Sequence, residues 1–159
     1  MASSPANPTP RPDLSAFRHV LQHQGVHAAL GYLNQGTTHR YTGVFRFDGQ
    51  QSRNLVLFDR YDARVRQGKA VPLIEAFCSL VGSQRESLQI LNAFTDPLAQ
   101  QVDTLVVSSC GVVIYDAQGY LYGTLCHYDF DLCQQIPLNL HLLEVAAPLL
   151  YETLQRAAG

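Results

Sequence analysis

The sequence predicts an α+β domain: an antiparallel sheet with helices from both chain ends on one face and a middle segment folded over the other. Three observations lead there. Two stretches read as β-hairpins, helical spacing appears at both ends of the chain, and hairpin connections favour antiparallel over parallel pairing. At 159 residues the chain reads as one domain, able to bury roughly two thirds of its unfolded surface.

Residues 1–12 hold four prolines and no periodic apolar pattern, so they are read as a disordered tail ahead of a single domain over 13–159. Asp13 then caps a helix whose Leu14, Phe17, Val20, Leu21, Ala28 and Leu33 keep helical spacing up to Asn34, with Gly25 and Gly31 as weak points. His19, His23 and His27 form one stripe on it. That spacing suits a metal, but no Cys or carboxylate joins them nearby, so the stripe is read as a solvated face. The alternating, aromatic residues 39–49 make a strand that turns at Asp48-Gly49 into Asn54–Arg60. Pro72 suits the first turn of a short helix with Leu73, Ile74, Phe77 and Leu80 facing inward and Cys78 on it. Leu88–Ala93 is a short strand, and Phe94–Gln101 a connection. Asp103–Tyr115 and Tyr120–Tyr128 form the central hairpin. Pro137 opens a Leu-rich closing helix that Pro148 should kink.

Hydrophobic residues make up 47% of the chain and charged ones 15%, so the surface is either unusually poor in charge or partly covered by a second subunit, which points toward a dimer. A net charge of −2 offers nothing to nucleic acid or to an anionic membrane. No apolar run reaches the ~18 residues of a membrane span, and the N-terminus lacks a signal-peptide core, so the expected location is cytoplasmic. Cys78, Cys110, Cys126 and Cys133 form no Cys-x-x-Cys pair, and the expected state is four thiols, with Cys133 exposed in a loop.

The candidate site is in the central hairpin. If its loop is Ala117-Gln118-Gly119, Asp116 pairs with Tyr120 and Cys110 stands opposite Cys126, their Cβ atoms ~4.5–5.5 Å apart. Ser108, Cys110, Tyr122, Thr124, Cys126 and Tyr128 then share one face. A one-residue change of register would send the two cysteines to opposite faces. Buried hydroxyls on that face need partners, which a ligand would supply, so these residues and Cys78 are the candidate ligand-binding set. His127 is read as a packed, satisfied histidine under the terminal helices. Asp59-Arg60 and Asp62-Arg64 are read as surface pairs.

The element order, together with RYTGVFRFDG, VPLIEAFCSLV, SSCGVVIYDAQGYLYGTLCHYD and the closing Leu-rich helix, resembles a GAF domain, notably the modules attached to bacterial histidine kinases and diguanylate cyclases. The resemblance spans residues 14–156 and implies a sheet of five or six strands and a small-molecule cavity between the sheet and the segment over it. It further implies homodimerisation through the terminal helices and a role in signal transduction, through a signalling-protein partner, without an output domain. It names neither ligand nor cofactor. In chromophore-binding relatives the positions similar to Cys110 and Tyr128 point into the cavity. One branch of the fold reduces free methionine-R-sulfoxide with two cysteines, and Cys78 falls near one of them. That branch has carboxylates where this chain has Cys110, Cys126 and Tyr128, which leaves nothing obvious to hold a cationic amine or donate a proton. A thiol-based redox role is therefore the alternative to a sensor, and an adaptor with a self-filled pocket is a third.

Overall fold

A computed structural model describes residues 12–68, 71–72, 77–102, 104–133 and 140–158. Helices α1 (Leu14–Gln24) and α2 (Val26–Asn34) precede strands β1 (Tyr41–Asp48), β2 (Gln51–Asp59) and β3 (Val71–Pro72). Helix α3 (Cys78–Gln84), β4 (Leu88–Ile90) and a 3-10 turn (Pro97–Gln101) lead to β5 (Ser108–Tyr115), β6 (Leu121–Asp129) and α4 (Leu140–Ala158). The six strands form one sheet in the order β3-β2-β1-β6-β5-β4, and every pairing is antiparallel. The α+β arrangement is the one predicted.

The single N-terminal helix of the sequence reading is two helices. Gly25 takes φ 91°, which an L side chain rarely adopts, and the chain breaks there after its N–H has bonded to the Leu21 carbonyl. The break parts the histidine stripe: His19 and His23 lie ring to ring at 4.4 Å, whereas His27 bonds the Val65 carbonyl at 2.9 Å from α2. Gly31 stays helical, and its missing side chain leaves room for the Phe58 ring, which would lie 2.9 Å from a Cβ there. Pro72 pairs with Gln51 as strand and does not open a helix, so α3 starts only at Cys78. Leu73, Ile74, Pro137 and Leu138 lie outside the described residues. Helix α4 runs through Pro148, whose missing N–H leaves the Glu144 carbonyl without its usual donor.

The sheet divides the interior. On one face α1, α2 and α4 bury Phe17, Leu30, Val44, Val112, Ile114, Leu125, Leu143 and Leu150 in one continuous core. Each such side chain contributes about 1.5–3 kcal/mol through burial, and this core is the main source of stability. The other face carries two smaller clusters under α3: Phe45, Cys78 and Cys126, with Phe47 and Tyr128, and beside them Phe77, Leu80, Ile90 and Ala99. No helix among the described residues is long and apolar enough to cross a membrane.

Candidate functional site

The turn of the central hairpin forms as expected: Gly119 has φ 85°, and the Asp116 N–H donates to the Tyr120 carbonyl at 2.8 Å. One residue further on, the register slips. Tyr115 pairs with Leu121 but Ile114 pairs with Gly123, so Tyr122 is an extra residue in β6. Gly123 makes this possible, since a Cβ at that position would lie 1.8 Å from the Phe45 carbonyl oxygen of β1.

The bulge re-sorts the predicted set. Cys110 stands opposite His127, and Cys126 stands opposite Gly111. The expected Cys110/Cys126 pairing is therefore wrong: a side-chain period of two turns a one-residue slip into a change of face. Cys110 packs into the core under the terminal helices, where burial pushes its thiol up to about 12. Tyr122 swings to the same side and meets Tyr151 of α4 edge to face at 5.0 Å. Ser108 is buried and closes a loop, its hydroxyl donating to the Asp131 carbonyl at 2.8 Å. Of the candidate residues, Cys78, Thr124, Cys126 and Tyr128 gather on the α3 face.

Cys78 is the first residue of α3 and 7% exposed, Cys126 is 5% exposed, and both pack against Phe45. The neighbouring Cys126 thiol, followed by the Thr124 and Ser52 hydroxyls, favours the Cys78 thiolate and holds the Cys78 thiol below its ordinary range against the opposing effect of burial. Beside Cys78, and buried itself, Cys126 is pushed well up. Among the described residues the Ser52 and Thr124 hydroxyls meet no partner in ordinary hydrogen-bond geometry. Both favour charge on the Cys78 sulfur, a weak acceptor as a thiol and a strong one as a thiolate. Tyr128 stacks on Tyr41 at 4.9 Å, and burial raises its phenol well above the usual range. Ser52 was absent from the sequence reading because the strand was started at Asn54; its signal was the alternation continuing upstream through Ser52 and Asn54.

On the opposite face Asn34, Thr42 and His127 bond one another, while His39 Nε2 meets no partner among the described residues. Thr42 Oγ1 accepts from Asn34 Nδ2 at 2.9 Å and bonds His127 Nδ1 at 2.6 Å, and His127 stacks on His39 with centroids 5.9 Å apart. Burial holds His127 and His39 down at about 3 and about 4, so both rings are neutral. His127 is thus the packed histidine expected. Asp59 does not pair with Arg60: it takes a bidentate bond from Arg40 at 2.8 and 2.9 Å, while Arg60 reaches Asn34 at the end of α2. Asp62 and Arg64 do form an exposed pair at 3.0 Å. Cys133 is buried where exposure was expected, because its N–H bonds the Leu91 carbonyl and ties the loop down. A cleft of about 370 Å³ opens between α4 and the end of β5, lined by Arg85, Ser87, Val112, Tyr115, Glu144 and Pro148 among others. Its Ser87 and Glu144 satisfy each other at 2.8 Å.

Chains of known structure align with the protein over nearly its full length. The GAF domain of an Acinetobacter phosphoenolpyruvate-protein phosphotransferase superposes with a TM-score of 0.68 at 14% identity, covering 91% of this chain and 93% of its own. This chain has the GAF-domain fold. Free methionine-R-sulfoxide reductase from Neisseria meningitidis superposes on the same GAF fold equally well, TM-score 0.68 at 13% identity over 91% and 89% of the two chains. So does a far-red-absorbing protein with bound biliverdin, TM-score 0.66 at 13% identity over 91% and 96%. No family model matches the sequence, and no curated protein matches it. The likeness is one of fold, and the GAF scaffold here carries its own set of residues on the α3 face.

Proposed function

We propose that this GAF domain is a sensory module of the cytoplasm that takes a small molecule against the α3 face of the sheet. It would pass occupancy to a signalling partner as a homodimer built through its terminal helices. The observation that carries this is the pair of buried hydroxyls, Ser52 and Thr124, that have no ordinary partner among the described residues. Buried polar groups are as a rule bonded, and an acceptor on a ligand would complete both. Phe45 and Phe47 beside them suit an apolar part of the same molecule. The cleft beside α4 is less suited, because its Ser87 and Glu144 lie toward solvent and already bond each other.

Transmission requires the ligand to favour one arrangement of the terminal helices over another. The path across the sheet is one layer thick. On β5, Gly111 lies against Val81 of α3 while the neighbouring Cys110 and Val112 pack in the helix-side core with α4. The test is native mass spectrometry of protein purified without added ligand. A dimer carrying a small extra mass, lost in the Ser52→Ala/Thr124→Val variant, supports the sensor. A bare protein that also shows no thermal shift across a metabolite library overturns it, and a monomer removes the helical interface.

A further inference from the structure

We propose that Cys78 and Cys126 form a peroxide-reactive dithiol that closes to a disulfide, tying the start of α3 to β6. This goes beyond ligand sensing and stands whether or not a ligand binds. The geometry begins with two glycines. A Cβ at Gly82 of α3 would lie 2.7 Å from the Phe47 ring, and one at Gly111 of β5 would lie 3.2 Å from Val81 Cγ2 and 3.3 Å from Cys126 Cβ. Helix α3 therefore rests almost on the sheet beside Cys126, and Cys78, its first residue, packs with Cys126 against Phe45. Two free thiols packed together at the start of a helix that lies this close to the sheet are placed to approach each other for a bond.

The surroundings decide which sulfur reacts first. The Cys126 thiol and the Thr124 and Ser52 hydroxyls favour charge on Cys78, an anion-stabilising set that needs no Lys or Arg. The otherwise partnerless hydroxyls acquire a strong acceptor when Cys78 ionises. The Cys78 thiolate attacks one oxygen of the peroxide, the O–O bond breaks, and the departing oxygen takes up the proton that Cys78 released, leaving a sulfenic acid. Cys126 then attacks that sulfur; the S–S bond forms, the S–OH bond breaks, and hydroxide leaves as water with the proton of Cys126. Two thiols lose two electrons and two hydrogens, and the peroxide is reduced to water, or to water and an alcohol. Burial of both sulfurs selects a small oxidant such as hydrogen peroxide over a bulky disulfide.

The other two cysteines provide the internal control. Cys110 faces the helix-side core with its thiol raised by burial, and Cys133 is close enough to raise it further. The experiment treats the full-length protein with hydrogen peroxide and maps disulfides by non-reducing peptide mass spectrometry. The expected result is loss of two hydrogen masses per chain, a Cys78–Cys126 cross-linked peptide, and reversal by dithiothreitol. Cys126→Ser should instead trap Cys78 as a sulfenic acid that dimedone labels, and Cys78→Ser should leave Cys126 unmodified. Should either variant fold poorly, phenylarsine oxide on the native wild type gives a second readout: one arsenical bridging Cys78 and Cys126. Wild-type protein that keeps both as thiols under excess peroxide, or a bridge that maps to Cys110 and Cys133, would overturn the proposal. A protein that closes this bridge yet carries no ligand would separate it from the sensor proposal.

Discussion

The two faces of the sheet carry the same residue types in opposite circumstances. Under the terminal helices, Thr42 has two side-chain partners and Cys110 is an inert core thiol; under α3, Thr124 has none among the described residues and Cys126 packs with Cys78. The first face bonds Asn34, Thr42 and His127 to one another beside a large apolar core, so it holds the fold together, although His39 Nε2 and Gln89 Nε2 meet no partner there among the described residues. The second leaves the Ser52 and Thr124 hydroxyls without a partner among the described residues, beside the Cys78 and Cys126 thiols. What a Cys or Thr does here follows from the face it is on.

The bulge at Tyr122 is what assigns the faces, and removing its enabling residue should have the largest effect. Gly123→Ala places a methyl inside the Phe45 carbonyl and should cost about 4 kcal/mol or prevent folding, read by urea denaturation. A change below about 1 kcal/mol would mean that β1 and β6 can separate freely, and the face assignment would fall with it.

The cores should differ next. Leu143→Ala in the helix-side core should cost about 3–5 kcal/mol, because the surrounding packing cannot collapse into the space. Leu80→Ala in the smaller cluster under α3 should cost about 2 kcal/mol. Equal losses would show that both faces are packed alike.

Acid should act on the helix side through its histidines. Burial holds His39 at about 4 and His127 at about 3 in the folded chain, against 6.5 as the ordinary value. The unfolded chain therefore takes up protons first, so stability is full above pH 6.5 and falls as the pH drops from there toward 4. Asp59, held down by the Arg40 guanidinium, adds its loss only below the ordinary carboxylate range. Denaturant titrations from pH 7 to pH 4 should show the decline, and a flat profile would mean that a ring is already charged in the fold.

Much of this was legible in the sequence. The antiparallel order, the turn at Gly119 and the packed role of His127 follow from local spacing and turn chemistry, which act over a few residues. The bulge was not legible, because it depends on a contact between Gly123 and the carbonyl of Phe45, residues far apart in the chain. That contact moved Ser108, Cys110 and Tyr122 away from Thr124, Cys126 and Tyr128. Ser52 could have been found from alternation alone; the partnership of Cys78 with Cys126 could not, since only the close approach of α3 at Gly82 and Gly111 creates it. The break at Gly25 was visible as a weak point, but that Gly31 stays helical and leaves room for the Phe58 ring was not.

The smallest expected effect tests the comparison most directly: unfolding free energies of Thr42→Val and Thr124→Val, measured side by side at pH 7. Thr42→Val leaves one N–H of the Asn34 amide and the His127 ring without their partner and should cost about 1–3 kcal/mol, while Thr124→Val removes a hydroxyl without an ordinary partner among the described residues and should change stability by less than about 0.5 kcal/mol or raise it. Equal losses would contradict the account, because Thr124 would then be as fully bonded as Thr42 and the α3 face would be ordinary core.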